Sequence, residues 1–371
     1  MHIHILTASF GNGHNQAAFL LKKTAIAHKD TVSVYHPLET TAPSLYKMSK
    51  KVYGGLLFSF PEAWRKLVLA KNPSSLSAVI TTLSRLYQKS IEKALQADLV
   101  LSVHPLLTAL AAEVKKRKQL SIPLYSVATD YWTSPLASHP FVNGVFVSEI
   151  EDTKWAREDQ DVFPAGIPVE IGEKHVTKKE CCLKNGWDPK KPLLLVSGGG
   201  EGIFPYRKVG EELKKLKIPS TIVMLSGTSR WKFDTTSYQH DIHMLPFTDC
   251  FTEYLHAADL LISKAGGMTM TEAVLCEVPI LVYSPLPGHE EHNARCLTNR
   301  QAAFWAKTPL EIKQKTEELL LHPLEIERAK RRLRHIKKKN SAEIIISIAK
   351  FHALQAVLPS QVHGKYRDSH E

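Results

Sequence analysis

Short apolar runs of four or five residues alternate with longer amphipathic stretches, the pattern of a parallel sheet whose strands are covered on both faces. In the first half, Ile3–Thr7, Thr31–Tyr35, Leu99–Val103, Leu124–Ala128 and Gly144–Val147 are predicted as strands. Gln16–Lys29, Ser75–Ala97 and Leu107–Lys118 fill the gaps as predicted helices. The pattern restarts at Leu193–Ser197 and runs on through Thr221–Leu225, Ile242–Leu245, Leu260–Ser263 and Ile280–Tyr283. Ala-Asp-Leu-x-x-Ser occurs at Ala97–Ser102 and again at Ala258–Ser263, each time leaving a helix and entering a strand, a short echo that two similar halves would produce. Between the halves, the Pro- and Gly-containing stretch Gly166–Lys191 marks the boundary. The expected division is 1–168 and 169–345, with 346–371 a C-terminal helix and tail that packs back on the first domain.

A length of 371 residues suits two domains, and 43% hydrophobic with 23% charged residues excludes a largely disordered chain. No window offers the roughly 18 uncharged apolar residues of a membrane-spanning helix. Met1–Leu6 reads as a strand rather than a signal peptide. The five cysteines, Cys181, Cys182, Cys250, Cys276 and Cys296, are odd in number and lack CxxC spacing, which fits a reducing, cytoplasmic compartment. The net charge of +11 is uneven. Residues 1–148 carry 16 Lys/Arg against 7 Asp/Glu, 149–324 carry 21 against 25, and 325–371 carry 11 against 5. Such asymmetry points to an anionic partner, either nucleic acid or an anionic membrane surface, although Arg328–Lys339 also reads as a solvated helix face.

Three glycine turns follow predicted strands. In Ser9-Phe10-Gly11-Asn12-Gly13-His14-Asn15-Gln16, the glycines bring backbone N–H groups toward a polar ligand. Gln16 breaks the GxGxxG fingerprint, which argues against a nicotinamide cofactor. His14 falls where the loop meets the helix, at the sheet edge where α/β sites lie, as a general base or a polar cap. Ser197-Gly198-Gly199-Gly200-Glu201-Gly202 is a phosphate-compatible turn without the Lys-Ser/Thr of a P-loop. In Ser263-Lys264-Ala265-Gly266-Gly267-Met268-Thr269-Met270-Thr271-Glu272, the N–H groups of Gly267, Met268 and Thr269 suit a pyrophosphate and Glu272 suits ribose hydroxyls. The same spacing also reads as a capping box from Thr269 to Glu272. His289-Glu290-Glu291-His292 is one residue short of HExxH, so no metal site is expected and the carboxylates suit sugar hydroxyls.

Taken in order, Gly11–Ala18, Ser102-Val103-His104-Pro105-Leu106, Gly166-Ile167-Pro168-Val169, the Gly198–Gly200 turn, Pro246-Phe247-Thr248-Asp249, Lys264–Ala273 and Pro287–Ala294 resemble one family. It is the monogalactosyldiacylglycerol synthase and processive diacylglycerol glucosyltransferase group of glycosyltransferase family 28, related to the peptidoglycan lipid I N-acetylglucosaminyltransferase. The resemblance spans about residues 1–320. It implies a GT-B fold, two doubly wound Rossmann-like α/β domains facing a central cleft. It implies an inverting, metal-independent enzyme that moves a hexose or N-acetylhexosamine from a UDP-sugar to a lipid-like acceptor such as diacylglycerol, with no cofactor. His14 matches the acceptor-side histidine, beside Gly13, and Asp130 matches a second base or orienter. Gly199, Phe247, Lys264, Gly266, Gly267, Met268, Thr269, Glu272, His289, Glu290, Glu291 and Asn293 match the donor side.

The stretch from Tyr46 to Lys71 interleaves Lys47, Lys50, Lys51, Arg65 and Lys66 with Tyr53, Leu57, Phe58 and Trp64. That mixture suits a loop dipping into an anionic lipid surface, at the inner face of the cell membrane, and no RNA-binding motif competes with it. A helix packed on its own domain is the other reading. Glu170 stands where the family commonly has Arg. His289 and His292 flank Glu290 and Glu291 where Gln and Gly are usual, and Ser134 and Ala137 replace the usual His and Trp. A UDP-sugar 2-epimerase on the same fold and a non-catalytic UDP-sugar sensor are the alternatives.

Overall fold

The computed structural model describes residues 1–49, 62, 74–148, 156–172, 176–229 and 232–362. The chain divides into two compact units, one of Met1–Pro168 with Asn340–Glu371 and the other of Val169–Lys339.

The first unit is built on a six-stranded, all-parallel sheet in the order β2-β1-β3-β4-β5-β6. The strands are β1 (His2–Leu6), β2 (Thr31–Tyr35), β3 (Leu99–Ser102), β4 (Leu124–Val127), β5 (Gly144–Val147) and β6 (Asp161–Pro164). β3, β4 and β5 are buried at every position, which explains their uninterrupted apolar sequences. β6 escapes the hydrophobic pattern because it is an edge strand: it ends in Pro164, its burial is partial, and it pairs on one side only, with β5. The helix expected over Ser75–Ala97 is two, Ser74–Leu86 and Gln88–Ala94, interrupted at Tyr87, whose ring is buried. Helix Ser341–Val362 returns to this unit, where Lys350 bonds Asp30 at 2.6 Å and Glu343 meets His28 at 2.6 Å.

The second unit carries another six-stranded parallel sheet, in the order β12-β11-β10-β7-β8-β9. Its strands are β7 (Leu193–Ser197), β8 (Thr221–Leu225), β9 (Asp241–Leu245), β10 (Leu260–Ser263), β11 (Ile280–Tyr283) and β12 (Ala303–Ala306). The edge strand β12 is again one the sequence pattern misses; it has only four residues, two of them half-exposed. In each sheet the winding reverses once, between β1 and β3 in the first unit and between β7 and β10 in the second. Loops leave the carboxyl ends of those paired strands in opposite directions, and the crevice between them is where open α/β sheets bind ligands. All three glycine turns lie at these two switch points.

Candidate active site

In the first unit, helix Gly13–Ala27 starts on the glycine turn itself. Asn12 occupies the cap position without a side-chain hydrogen bond, and Gln16 N–H reaches the Asn12 carbonyl at 3.1 Å. Gly13 and His14 therefore occupy the first turn. The loop is braced from behind. Thr7 Oγ1 donates to Asn15 Oδ1 at 3.0 Å, Asn15 Nδ2 to Ser9 Oγ at 2.9 Å, and Ser9 N–H to Glu39 at 2.7 Å.

His14 bridges the switch point. Its Nδ1 lies 2.7 Å from the Val103 carbonyl, at the end of β3, and 3.2 Å from Thr129 Oγ1. A carbonyl only accepts, so Nδ1 carries a proton. Thr129, past the end of β4, in turn donates to Asp130 Oδ2 at 3.4 Å. Asp130 is thus joined to the imidazole through the Thr129 hydroxyl. His104, the cap residue of helix Pro105–Arg117, stands 4.7 Å from His14 between ring centroids. In the sequence it falls within the Ser102–Leu106 motif, whose spacing gives it no role of its own. Tyr53, Leu57, Phe58, Trp64 and Arg65 lie outside the described residues.

In the second unit the turn after β7 is held by the loops beside it. Tyr206 OH accepts the Gly198 N–H at 2.8 Å and donates to the Leu225 carbonyl. Thr228 N–H donates to Gly200 O at 3.0 Å, and Phe247 N–H to Gly227 O at 2.9 Å. Gly202 has a φ of +68°, and a Cβ there would sit 1.8 Å from the Ser226 carbonyl oxygen, so no side chain fits. Gly199 approaches the other side of the switch point: a Cβ on it would lie 3.8 Å from Lys264 Cε. Phe247, past the end of β9, keeps 46% of its surface exposed, an aromatic face left free at the sheet edge.

The turn after β10 differs from the capping box its sequence allows. Helix Gly267–Leu275 begins earlier than that reading requires, with Gly266 as cap residue in an extended conformation and no side-chain cap. Thr269 lies inside the first turn, where its own amide is one of the orphan donors. The first intrahelical bond runs from Met270 N–H to Gly266 O at 2.9 Å, so the N–H groups of Gly267, Met268 and Thr269 precede the helical ladder. Ala265 adopts a φ of +76°, a strained value for a residue with a Cβ, and its carbonyl is gripped by the buried Asn293 amide at 3.0 Å. Among the described residues nothing hydrogen-bonds the Glu272 carboxyl, and burial pushes it up to about 8.

Helix His289–Asn299 carries the remaining residues expected on the donor side. Glu290 is enclosed and spends its oxygens on the protein, one on Lys264 Nζ at 2.6 Å and the other on the Leu286 N–H at 2.8 Å. This buried pair ties the β10 turn to the β11 turn, so Lys264 and Glu290 shape the crevice rather than fill it. Glu291 accepts the Gly288 N–H at 3.4 Å, and His289 is half-buried at the helix start. Among the described residues no three His, Cys, Asp or Glu side chains cluster as a metal site, and no helix is long and apolar enough to cross a membrane.

Two parallel-sheet units, one presenting an oriented imidazole and the other an uncapped helix start beside glycine turns, define the GT-B class of glycosyltransferase. The crystal structure of Acinetobacter baumannii MurG shares the fold, with a TM-score of 0.65 and 18% identity over 94% of this chain and 99% of that one. The calicheamicin glycosyltransferase CalG4 does so with a TM-score of 0.61 and 14% identity, over 96% and 99%. Residues 14–169 match the monogalactosyldiacylglycerol (MGDG) synthase family and residues 193–346 the glycosyltransferase family 28 C-terminal domain. The chain is a glycosyltransferase whose two halves match those two family models. Its relatives include the processive diacylglycerol beta-glucosyltransferases of Bacillus thuringiensis (strain Al Hakam) and Bacillus cereus (strain AH820). Each is 24% identical over 369 residues, covering 92% of this chain and 91% of the relative.

Proposed function

We propose that this enzyme transfers a hexose or N-acetylhexosamine from a UDP-sugar to the free hydroxyl of diacylglycerol or a similar lipid, inverting the anomeric centre without a metal ion. The observation that carries the reading is the His14 tautomer. With Nδ1–H tied to the Val103 carbonyl, the basic nitrogen of the neutral ring is Nε2. The acceptor hydroxyl gives its proton to Nε2 as its oxygen bonds the anomeric carbon from the face opposite the phosphate. The bond from that carbon to the phosphate oxygen breaks, and UDP leaves with the electron pair. Its growing negative charge is met by the N–H groups of Gly267, Met268 and Thr269 and by the positive end of their helix. Phe247 stacks on the uracil, Glu272 accepts the ribose hydroxyls, and His289 and Glu291 border the sugar.

The donor class is supported by a neighbour of the same fold, Phytolacca americana UGT2, whose structure holds UDP-2fluoro-glucose. The acceptor class rests on the diacylglycerol named in the relatives. A lipid acceptor places the protein at a membrane, peripherally on the cytoplasmic face, with Tyr46–Lys71 against anionic headgroups. The test is incubation with labelled UDP-glucose, UDP-galactose and UDP-N-acetylglucosamine and with diacylglycerol in anionic micelles, followed by chromatography. A labelled glycolipid of inverted anomeric configuration, formed equally with EDTA present, is expected. Release of a free epimerised sugar nucleotide, or no transfer from any of the three, refutes the proposal.

A further inference from the structure

Ser9 precedes the first glycine turn, and every polar group it has is held. Its N–H donates to Glu39 Oε1 at 2.7 Å, its hydroxyl accepts from Asn15 Nδ2 at 2.9 Å, and its carbonyl accepts from Tyr46 OH at 2.7 Å. The last bond arrives from 37 residues away, on the helical segment 43–49, and the reaction above does not use it. The ring that carries this hydroxyl meets Phe10 edge-on, with 5.3 Å between centroids, and both rings pack partly buried against the core of the first unit. Tyr46 therefore grips two consecutive residues, Ser9 by its hydroxyl and Phe10 by its ring.

Beyond Phe10 the turn has little packing of its own. Gly11 has a φ of +82°, and a Cβ there would meet nothing within 4 Å among the described residues. Asn12 occupies the cap position without a side-chain hydrogen bond. The next anchors are Asn15, which returns to Ser9, and His14 itself, whose tautomer depends on the 2.7 Å bond to the Val103 carbonyl. Hydrogen bonds weaken steeply as their geometry departs from the ideal, and a reacting group misplaced by about 1 Å costs about 10² in rate. A hydroxyl that fixes where the turn starts thus acts on the imidazole three to five residues later.

We propose that Tyr46 is a positioning residue for the transfer reaction: its hydroxyl, through the Ser9 carbonyl, sets the path of the glycine turn and so the place of the His14 imidazole. The proposal rests on His14 as the base of the reaction given above.

The test is Tyr46→Phe, which removes one oxygen and keeps the ring against Phe10, made in wild type and in His14→Ala. In wild type it should lower kcat about 10- to 100-fold, with KM for diacylglycerol and UDP affinity unchanged. Tm should fall by no more than about 4 °C, as for one neutral hydrogen bond in a domain of this size. In the His14→Ala background the same change should cost less than about twofold, because the group it positions is already gone. A wild-type kcat in Tyr46→Phe, a raised KM at unchanged kcat, or an equal loss in both backgrounds overturns the proposal. Full turnover in His14→Ala overturns the general-base reading itself, and this proposal with it.

Discussion

Replacing Glu272 by Gln tests the donor site through its protonation. The carboxyl sits in the helix that opens with the orphan N–H groups, and burial raises it to about 8. A ribose offers two O–H donors, which an ionised carboxylate accepts together by charge-assisted bonds, whereas a protonated one must keep an oxygen for its own proton. UDP should then bind best to the ionised form. A group titrating at about 8 is about one-quarter ionised at pH 7.5 and about nine-tenths ionised at pH 9, so affinity should rise about fourfold over that interval. The terminal phosphate, with its second ionisation near pH 6, adds little there. Titration calorimetry in buffers of different ionisation enthalpy should show about 0.8 proton released per UDP bound at pH 7.5. Glu272→Gln should bind UDP more weakly by about 1 to 3 kcal/mol at pH 9 and show neither the slope nor the proton release. Stability gives an independent check of sign. A folded-state value above the unfolded one means stability is fully present below about pH 4.5 and is lost as pH rises through about 8. Unliganded Glu272→Gln should therefore gain in Tm over wild type between pH 6 and pH 9. A pH-independent UDP affinity in wild type, or the same slope in the variant, refutes the ribose assignment.

Four further outcomes are expected. His14→Ala should lower turnover by about 10² to 10⁴ with UDP affinity unchanged in calorimetry; equal loss of both would make His14 a donor ligand. Gly202→Ala places a methyl on the Ser226 carbonyl, so thermal melts should show a loss of more than about 1 kcal/mol together with weakened UDP binding. Glu290→Ala leaves Lys264 buried without its carboxylate and should destabilise the protein by about 3 to 5 kcal/mol in urea titration, whereas the paired change to Lys264→Met and Glu290→Met should cost less than the single. Wild type should sediment with anionic vesicles at low salt, and a variant with Leu57, Phe58 and Trp64 changed to Ser should stay in solution while still binding UDP.

The alternation of apolar runs and glycine turns was enough, by itself, to place ten of the twelve strands among the described residues in two α/β halves and to put His14, Gly199 and Gly267 at strand ends. Buried parallel strands are apolar throughout and turns need residues that tolerate unusual φ, so both leave marks within a few residues of chain. The edge strands β6 and β12 leave weaker marks, because half-exposed positions and Pro164 dilute the pattern that burial would impose. The site residues divide in the same way. Glycine turns and the histidine beside one of them are local, and the motif order carried them. The cap at Gly266 in place of Thr269 depends on how β10 delivers the chain into its helix, with Ala265 strained and Asn293 holding its carbonyl from 28 residues away. Lys264 and Glu290 become structural only when two turns of one sheet edge meet. The pairing of His14 with Val103, His104 and Thr129 exists because the winding of the first sheet reverses between β1 and β3. That reversal sets segments about 90 and 115 residues apart against one another, and the contacts that fix an imidazole's tautomer are made by whatever side chains and carbonyls the sheet order brings to its edge.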